Sequence, residues 1–215
     1  MRTALAVALA VASVPPGLRG KEVDRLPTRK REVALTFDAG AGSAGARRLV
    51  ATLRRQRVAA TFFLTGRWAR RNRALARVIG RSFTVGNHTD THPHLTALSS
   101  ARVAAEIRRA AAAIRRAAGR DPRPLFRFPY GDSDARTIAI ANRLGYISIR
   151  WTVDTLAWTG SQTAAGAVRR VTSSVRPGAI VLMHVGETVD LRALPRIIRA
   201  LRGGGYSFVT LDRIG

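Results

Sequence analysis

Short apolar runs rich in β-formers recur along the chain and alternate with longer stretches in which alanine and other apolar residues are interleaved with arginine at helical spacing. The runs at 33–37, 60–64, 83–85, 125–128, 146–149, 180–183 and 208–211 predict seven strands. The stretches 44–56, 101–118, 134–144, 163–175 and 191–202 predict helices with one apolar face. Their ends fit: Ser99 or Ser100 suits an N-cap, and Gly119, Gly145 and Gly203 stand where helices stop. Strands separated by helices imply a parallel α/β fold, and no fixed-period repeat interrupts it.

In such folds function gathers at the carboxyl ends of strands. The unusual polar residues fall there. Asp38 follows the first predicted strand, Asn87 and His88 the third, Arg127 ends the fourth, Asp154 and Trp158 follow the fifth, and His184 follows the sixth. Residues distant in sequence are therefore expected on one face.

Length and composition narrow the picture. A chain of 215 residues, 46% hydrophobic, suits one compact domain. The segment 19–31, dense in charge and proline, is expected as a linker, with the domain running over 32–215. Ahead of it, Arg2, the apolar stretch 4–14 and the A-x-A sequence Ala10-Val11-Ala12 predict a signal peptide cleaved near Ala12, within 1–18. Pro15, Pro16, Arg19 and Lys21 stop this stretch short of the roughly 20 apolar residues of a membrane span, so no transmembrane anchor is expected. Secretion or attachment to a cell wall follows as the expectation.

The net charge is +24; of 37 basic residues only Lys21 and Lys30 are lysine. Such a surface is drawn to polyanions, an anionic cell wall among them. Specific nucleic-acid binding is not expected, because there is no helix-turn-helix signal and aromatics make up only 6%. With no cysteine, disulfides, zinc-thiolate sites and thiol nucleophiles are excluded, and any metal must rest on histidine and carboxylate.

Three of the four histidines lie in N-H-T-D-T-H-P-H, at His88, His92 and His94. Spacing of four suits a two-imidazole metal site on one turn, and equally a pair of hydrogen-bonding loop histidines. With the remaining motifs the chain resembles the polysaccharide deacetylase family, the carbohydrate esterases sharing the NodB homology domain. T-F-D-A-G at Thr36 to Gly40, H-T-D-T-H at His88 to His92, R-F-P-Y-G at Arg127 to Gly131, V-D-T-L-A-W at Val153 to Trp158 and L-M-H at Leu182 to His184 occur in the family's order, with A-T-F-F-L at Ala60 to Leu64 besides.

The resemblance implies an incomplete (β/α)7-type barrel and a metal-dependent hydrolase that removes N-acetyl groups from the amino sugars of a polysaccharide, peptidoglycan or a chitin-like glycan. It implies that His88 and His92 hold a divalent metal, zinc or alternatively cobalt. Asp38 would be the general base and His184 the acid that protonates the departing amine. Arg127 would hold Asp38 ionised, the backbone N–H of Tyr130 would stabilise the oxyanion, and Trp158 and Leu182 would wall the slot for the acetyl methyl.

Two positions depart from the family's pattern. Ala39 stands where an aspartate ordinarily completes the metal triad, and Ala157 where an aspartate ordinarily orients the catalytic histidine. Asp90 and His94 are candidate replacements at the metal, and Asp154 beside His184. The losses open an alternative, a catalytically weak relative that binds glycans.

Overall fold

The computed structural model describes residues 14–40 and 42–214. Nine strands and seven α-helices are seen among them: β1 (Glu22–Val23), β2 (Glu32–Ala39), α1 (Ala46–Arg55), β3 (Ala60–Leu64), α2 (Gly66–Arg71), α3 (Arg73–Ser82), β4 (Thr84–Asn87), α4 (Ser100–Ala118), β5 (Leu125–Phe126), α5 (Ala135–Arg143), β6 (Ile147–Ile149), β7 (Val153–Asp154), α6 (Ala164–Ser174), β8 (Ala179–His184), α7 (Thr188–Gly203) and β9 (Ser207–Phe208). The strands pair in the order β1-β6-β5-β4-β3-β2-β8-β7, with β9 against β2, and every strand pair is parallel. The sheet curls into a barrel left open between its edge strands β1 and β7, the incomplete barrel that the family resemblance implies.

Alternation along the strands builds two apolar layers. Val33, Leu35 and Phe37 of β2, Phe62 of β3, and Val181 and Met183 of β8 join the helices in an outer core. Ala34, Phe63, Leu125, Ile147, Ile149 and Ile180 fill the interior. Phe37 and Phe62 stack with ring centroids 5.1 Å apart, each contributing about 1.5–3 kcal/mol by burial. Because Ala34 and Ile180 face inward, so do Thr36 and Asp38 on β2 and Leu182 and His184 on β8. The register then sets Asp38 directly beside His184.

The helix ends follow their sequence signals. Ser99 caps α4 by accepting from the Arg102 N–H, Gly119 closes it in a left-handed conformation at φ 73°, and Asp134 opens α5 with a reciprocal capping box to Thr137. Two helices were not expected: α2 and α3 occupy 66–82, where Asn72 breaks one amphipathic stretch into two. The expected strand 125–128 stops at Phe126 and turns at Pro129, while 208–211 yields only the short β9 and a closing turn at Leu211–Arg213.

The segment 19–31, expected as a linker, is tied to the barrel. Its Glu22–Val23 pairs with β6, Arg25 bridges to Ala179, the Leu26 N–H donates to Gly178 O, and Leu26 is buried in the interior core. Together these contacts run from β6 across the open side of the barrel to the start of β8, at the end away from His184. Apolar residues isolated among charges give no periodic signal, so only the tertiary fold reveals their burial. The expected signal peptide falls largely on 1–13, outside the described residues. Among the described residues no helix is long and apolar enough to cross a membrane.

Candidate active site

The residues singled out for the site, except Arg127 beneath it and the alternative ligands Asp90 and His94, line one cavity of about 430 Å³ at the carboxyl ends of the strands. Asp38, His88, His92, Tyr130, Asp154, Trp158, Leu182 and His184 are joined there by Phe128, Trp151, Arg67 and Glu187.

Asp38 is the centre. Its Oδ1 accepts from Arg127 Nη1 at 2.8 Å, and its Oδ2 lies 3.5 Å from His88 Nε2. Arg127 is wholly buried; Nη1 also donates to Thr36 Oγ at 2.9 Å, Nη2 donates to Arg150 O, and the guanidinium lies 4.1 Å from the Phe63 ring centroid. Burial by itself would raise the Asp38 carboxyl. The charges of Arg127, His88 and His184 and the Arg127 hydrogen bond outweigh it and hold the carboxyl below the usual carboxylate value. Asp38 is thus a preformed carboxylate aimed into a pocket.

His88 Nδ1 lies 2.8 Å from the Arg127 carbonyl oxygen, which can only accept, so Nδ1 carries the proton and Nε2 presents a lone pair. That lone pair faces His92 Nε2 at 3.1 Å. Burial lowers the pKa of both rings, with the charge of His88 adding to the effect on His92, which falls to about 4. Two neutral imidazoles converging on one point fit a divalent ion. No group of three or more histidine, aspartate or glutamate side chains arranged to hold one occurs among the described residues. Ala39 lies in the outer apolar core, and the two candidate replacements are engaged elsewhere: Asp90 by Arg70 at 2.7 Å and His94 by Asp132 at 3.0 Å.

The loop carrying His88 and His92 is held by a network that sequence reasoning missed. Glu106 of α4, buried, accepts from the backbone N–H groups of Asp90 (3.0 Å) and Thr91 (2.8 Å), and its other oxygen accepts from Thr91 Oγ1 and Arg109. Gly66 is required: a Cβ there would meet Asp90 Oδ1 at 2.0 Å. Thr89 and His92 both take left-handed φ of 67°, strain of about 1–3 kcal/mol each that these hydrogen bonds offset. One signal for Glu106 existed: it is the single acidic residue of α4.

Tyr130 also has positive φ, 60°, and its ring is stacked on His94 with centroids 4.1 Å apart. Leu182 and the exposed Trp158 stand at the cavity wall. Asp154, expected beside His184, spends its oxygens elsewhere: Oδ1 accepts from the Leu156 N–H at 2.8 Å and Oδ2 from Trp158 Nε1 at 3.1 Å. The carboxylate in contact with His184 is Asp190, whose Oδ2 accepts the His184 backbone N–H at 2.7 Å.

The polysaccharide deacetylase profile matches residues 25–149, more than half the chain. The chain belongs to the polysaccharide deacetylase family. The family's enzymes are hydrolases that cleave N-acetyl amide bonds of polysaccharides. Among relatives, the peptidoglycan-N-acetylglucosamine deacetylase PgdA of Listeria monocytogenes is 33% identical over 94% of this chain and 42% of its own length. The chain therefore spans less than half the length of that relative. The chitooligosaccharide deacetylase of Sinorhizobium fredii is 32% identical over 90% of this chain and 96% of its own. In structure, the chain is similar to BA3943 of Bacillus anthracis, described as a CE4 family pseudoenzyme, with a TM-score of 0.86 and 31% identity over 92% of this chain and 69% of that one. A mutant of BA3943 described as having restored enzymatic activity superposes with the same TM-score.

Proposed function

We propose that the protein removes N-acetyl groups from the amino sugars of an exported glycan, peptidoglycan in the first place and a chitin-like glycan in the second, and that it acts outside the cytoplasm. The observation that carries this reading is the placement of an ionised Asp38, fixed by Arg127, directly beside His184 in one cavity. Amide hydrolysis needs a base for water, an acid for a poor leaving amine, and charge stabilisation on oxygen.

In this reading the acetamido group enters between Leu182 and Trp158. Asp38 takes a proton from the attacking water, and Arg127 keeps the carboxylate ionised and pointed at it. His184 hands a proton to the departing amine. The backbone N–H of Tyr130 faces the developing oxyanion. His88 and His92 would hold a divalent metal, zinc or cobalt, which supplies polarisation of the carbonyl and of water when bound. The exposed aromatic faces of Tyr130 and Trp158 at the rim suit the flat apolar faces of sugar rings, and the +24 charge suits an anionic wall.

Acetate release from a panel of acetylated glycans, with and without chelator and with added zinc or cobalt, tests the reading. Release from peptidoglycan or chitin oligomers that stops with chelator and returns with metal is the expected result; no release from any member overturns it. Ala39 and Ala157, with the likeness to BA3943, favour a second reading, a weakly catalytic or inactive relative that retains glycan affinity. Glycan binding without acetate release would decide for it.

A further inference from the structure

Two buried side-chain atoms among the described residues lack any hydrogen-bond partner, His184 Nδ1 and Asp190 Oδ1. They belong to residues already joined, since the other Asp190 oxygen accepts the His184 backbone N–H at 2.7 Å. A buried polar atom without a partner costs about 1–3 kcal/mol, and here the two are chemically complementary, a ring nitrogen that can donate and a carboxyl oxygen that can accept. Asp190 is wholly buried in the first turn of α7, where the helix end favours negative charge. Ala157 offers no carboxylate to His184, and both oxygens of Asp154 are committed to Leu156 and Trp158.

We propose that Asp190 is the positioning carboxylate of His184: Oδ1 takes the Nδ1–H, directly or through one water, and fixes the ring with Nε2 toward the cavity. The inference rests on the acid role proposed for His184. With Nδ1 buried, Nε2 is the ring nitrogen open to the cavity. The imidazolium then gives its Nε2 proton to the leaving amine and becomes a neutral imidazole whose Nδ1–H stays on the ring, hydrogen-bonded to Asp190, so one proton leaves the pair in the step. Burial pushes the Asp190 carboxyl up to about 7, against the opposing hydrogen bond from the His184 N–H. Near neutrality the carboxyl is therefore able to share that proton with the ring.

The test is the imidazole 15N spectrum of the full-length protein near neutral pH, with the His184 signals assigned by their loss in His184→Ala. In the wild type, His184 is expected to carry an exchange-protected proton on Nδ1. In Asp190→Asn the side-chain amide, with its oxygen kept on the His184 backbone, turns an NH2 toward Nδ1, so the proton should move to Nε2. Turnover is then expected to fall about 10- to 100-fold with KM within about twofold. Wild-type His184 in the Nε2–H form, or a folded Asp190→Asn with unchanged ring signals, overturns the proposal. The wild-type spectrum decides even if the variant does not fold. It also needs no activity, so absence of acetate release sinks the deacetylase reading separately.

Discussion

The histidine loop and the His184 corner flank Asp38 on either side in the strand order, and they are built on opposite terms. The loop after β4 is overdetermined: Glu106, Asn87 and Thr89 accept its backbone N–H groups and hold two strained residues, while Arg70 pairs with Asp90 and Arg109 with Glu106. The corner after β8 is held more sparsely: the His184 N–H donates to Asp190, the Val185 N–H to Asp38 O, and two side-chain atoms are left over. Rigidity therefore lies at the residues that would bind, and slack at the residue that would move a proton. The two departures from the family's pattern divide in the same way, Ala39 bearing on the binding side and Ala157 on the proton-transfer side.

The largest effects should come from the reacting groups. Asp38→Asn and His184→Ala should each lower turnover about 10²- to 10⁴-fold. Bound metal should be unchanged in His184→Ala, measured by elemental analysis. Loss of His184 should hurt N-acetyl substrates more than activated aryl acetates, because an amine needs protonation to leave and an aryloxide does not; equal damage to both would remove His184 from the acid role. Next, Glu106→Ala strips the acceptor from two backbone N–H groups of the loop. It should lower the melting temperature by several degrees, at about 2–4 °C per kcal/mol in a domain of this size, and weaken metal binding about 10- to 100-fold. Unchanged metal affinity would show that the loop's order does not depend on α4.

Ala39→Asp sharpens the contrast from the other direction. A carboxylate as third ligand should tighten metal binding by about tenfold or less, read by competition with a chelating dye. The same change should lower stability, because the methyl it replaces lies in the outer apolar core. Unchanged affinity would mean that a ligand already completes the site.

The smallest effect concerns pH. The folded Asp190 carboxyl is raised to about 7 from an ordinary value near 3.9, so between those values the folded state binds more protons than the unfolded. Its contribution to stability therefore declines as pH rises from about 4 to 7 and recovers as pH falls. Asp190→Asn should flatten this slope between about pH 4 and pH 7 in thermal melts. An equally steep slope in the variant would place the responsible group elsewhere.

The sequence by itself determined the parallel α/β class, the strand ends that carry polar residues, and the ordered motifs that place Asp38, His88, Arg127 and His184. Those signals are local: strand runs, caps and short spacings survive without knowledge of neighbours. It did not expose α2 and α3, because a break at Asn72 blurs one periodic stretch. Nor did it expose the burial of Leu26 among charges. Glu106 and Asp190 were hidden for a different reason, since a lone acid within a helix reads as surface until the opposing element is known. Only the tertiary structure turned Asp154 toward Trp158 and brought Asp190 to His184, because side-chain partnership depends on which faces meet across the sheet, and no spacing along the chain encodes that.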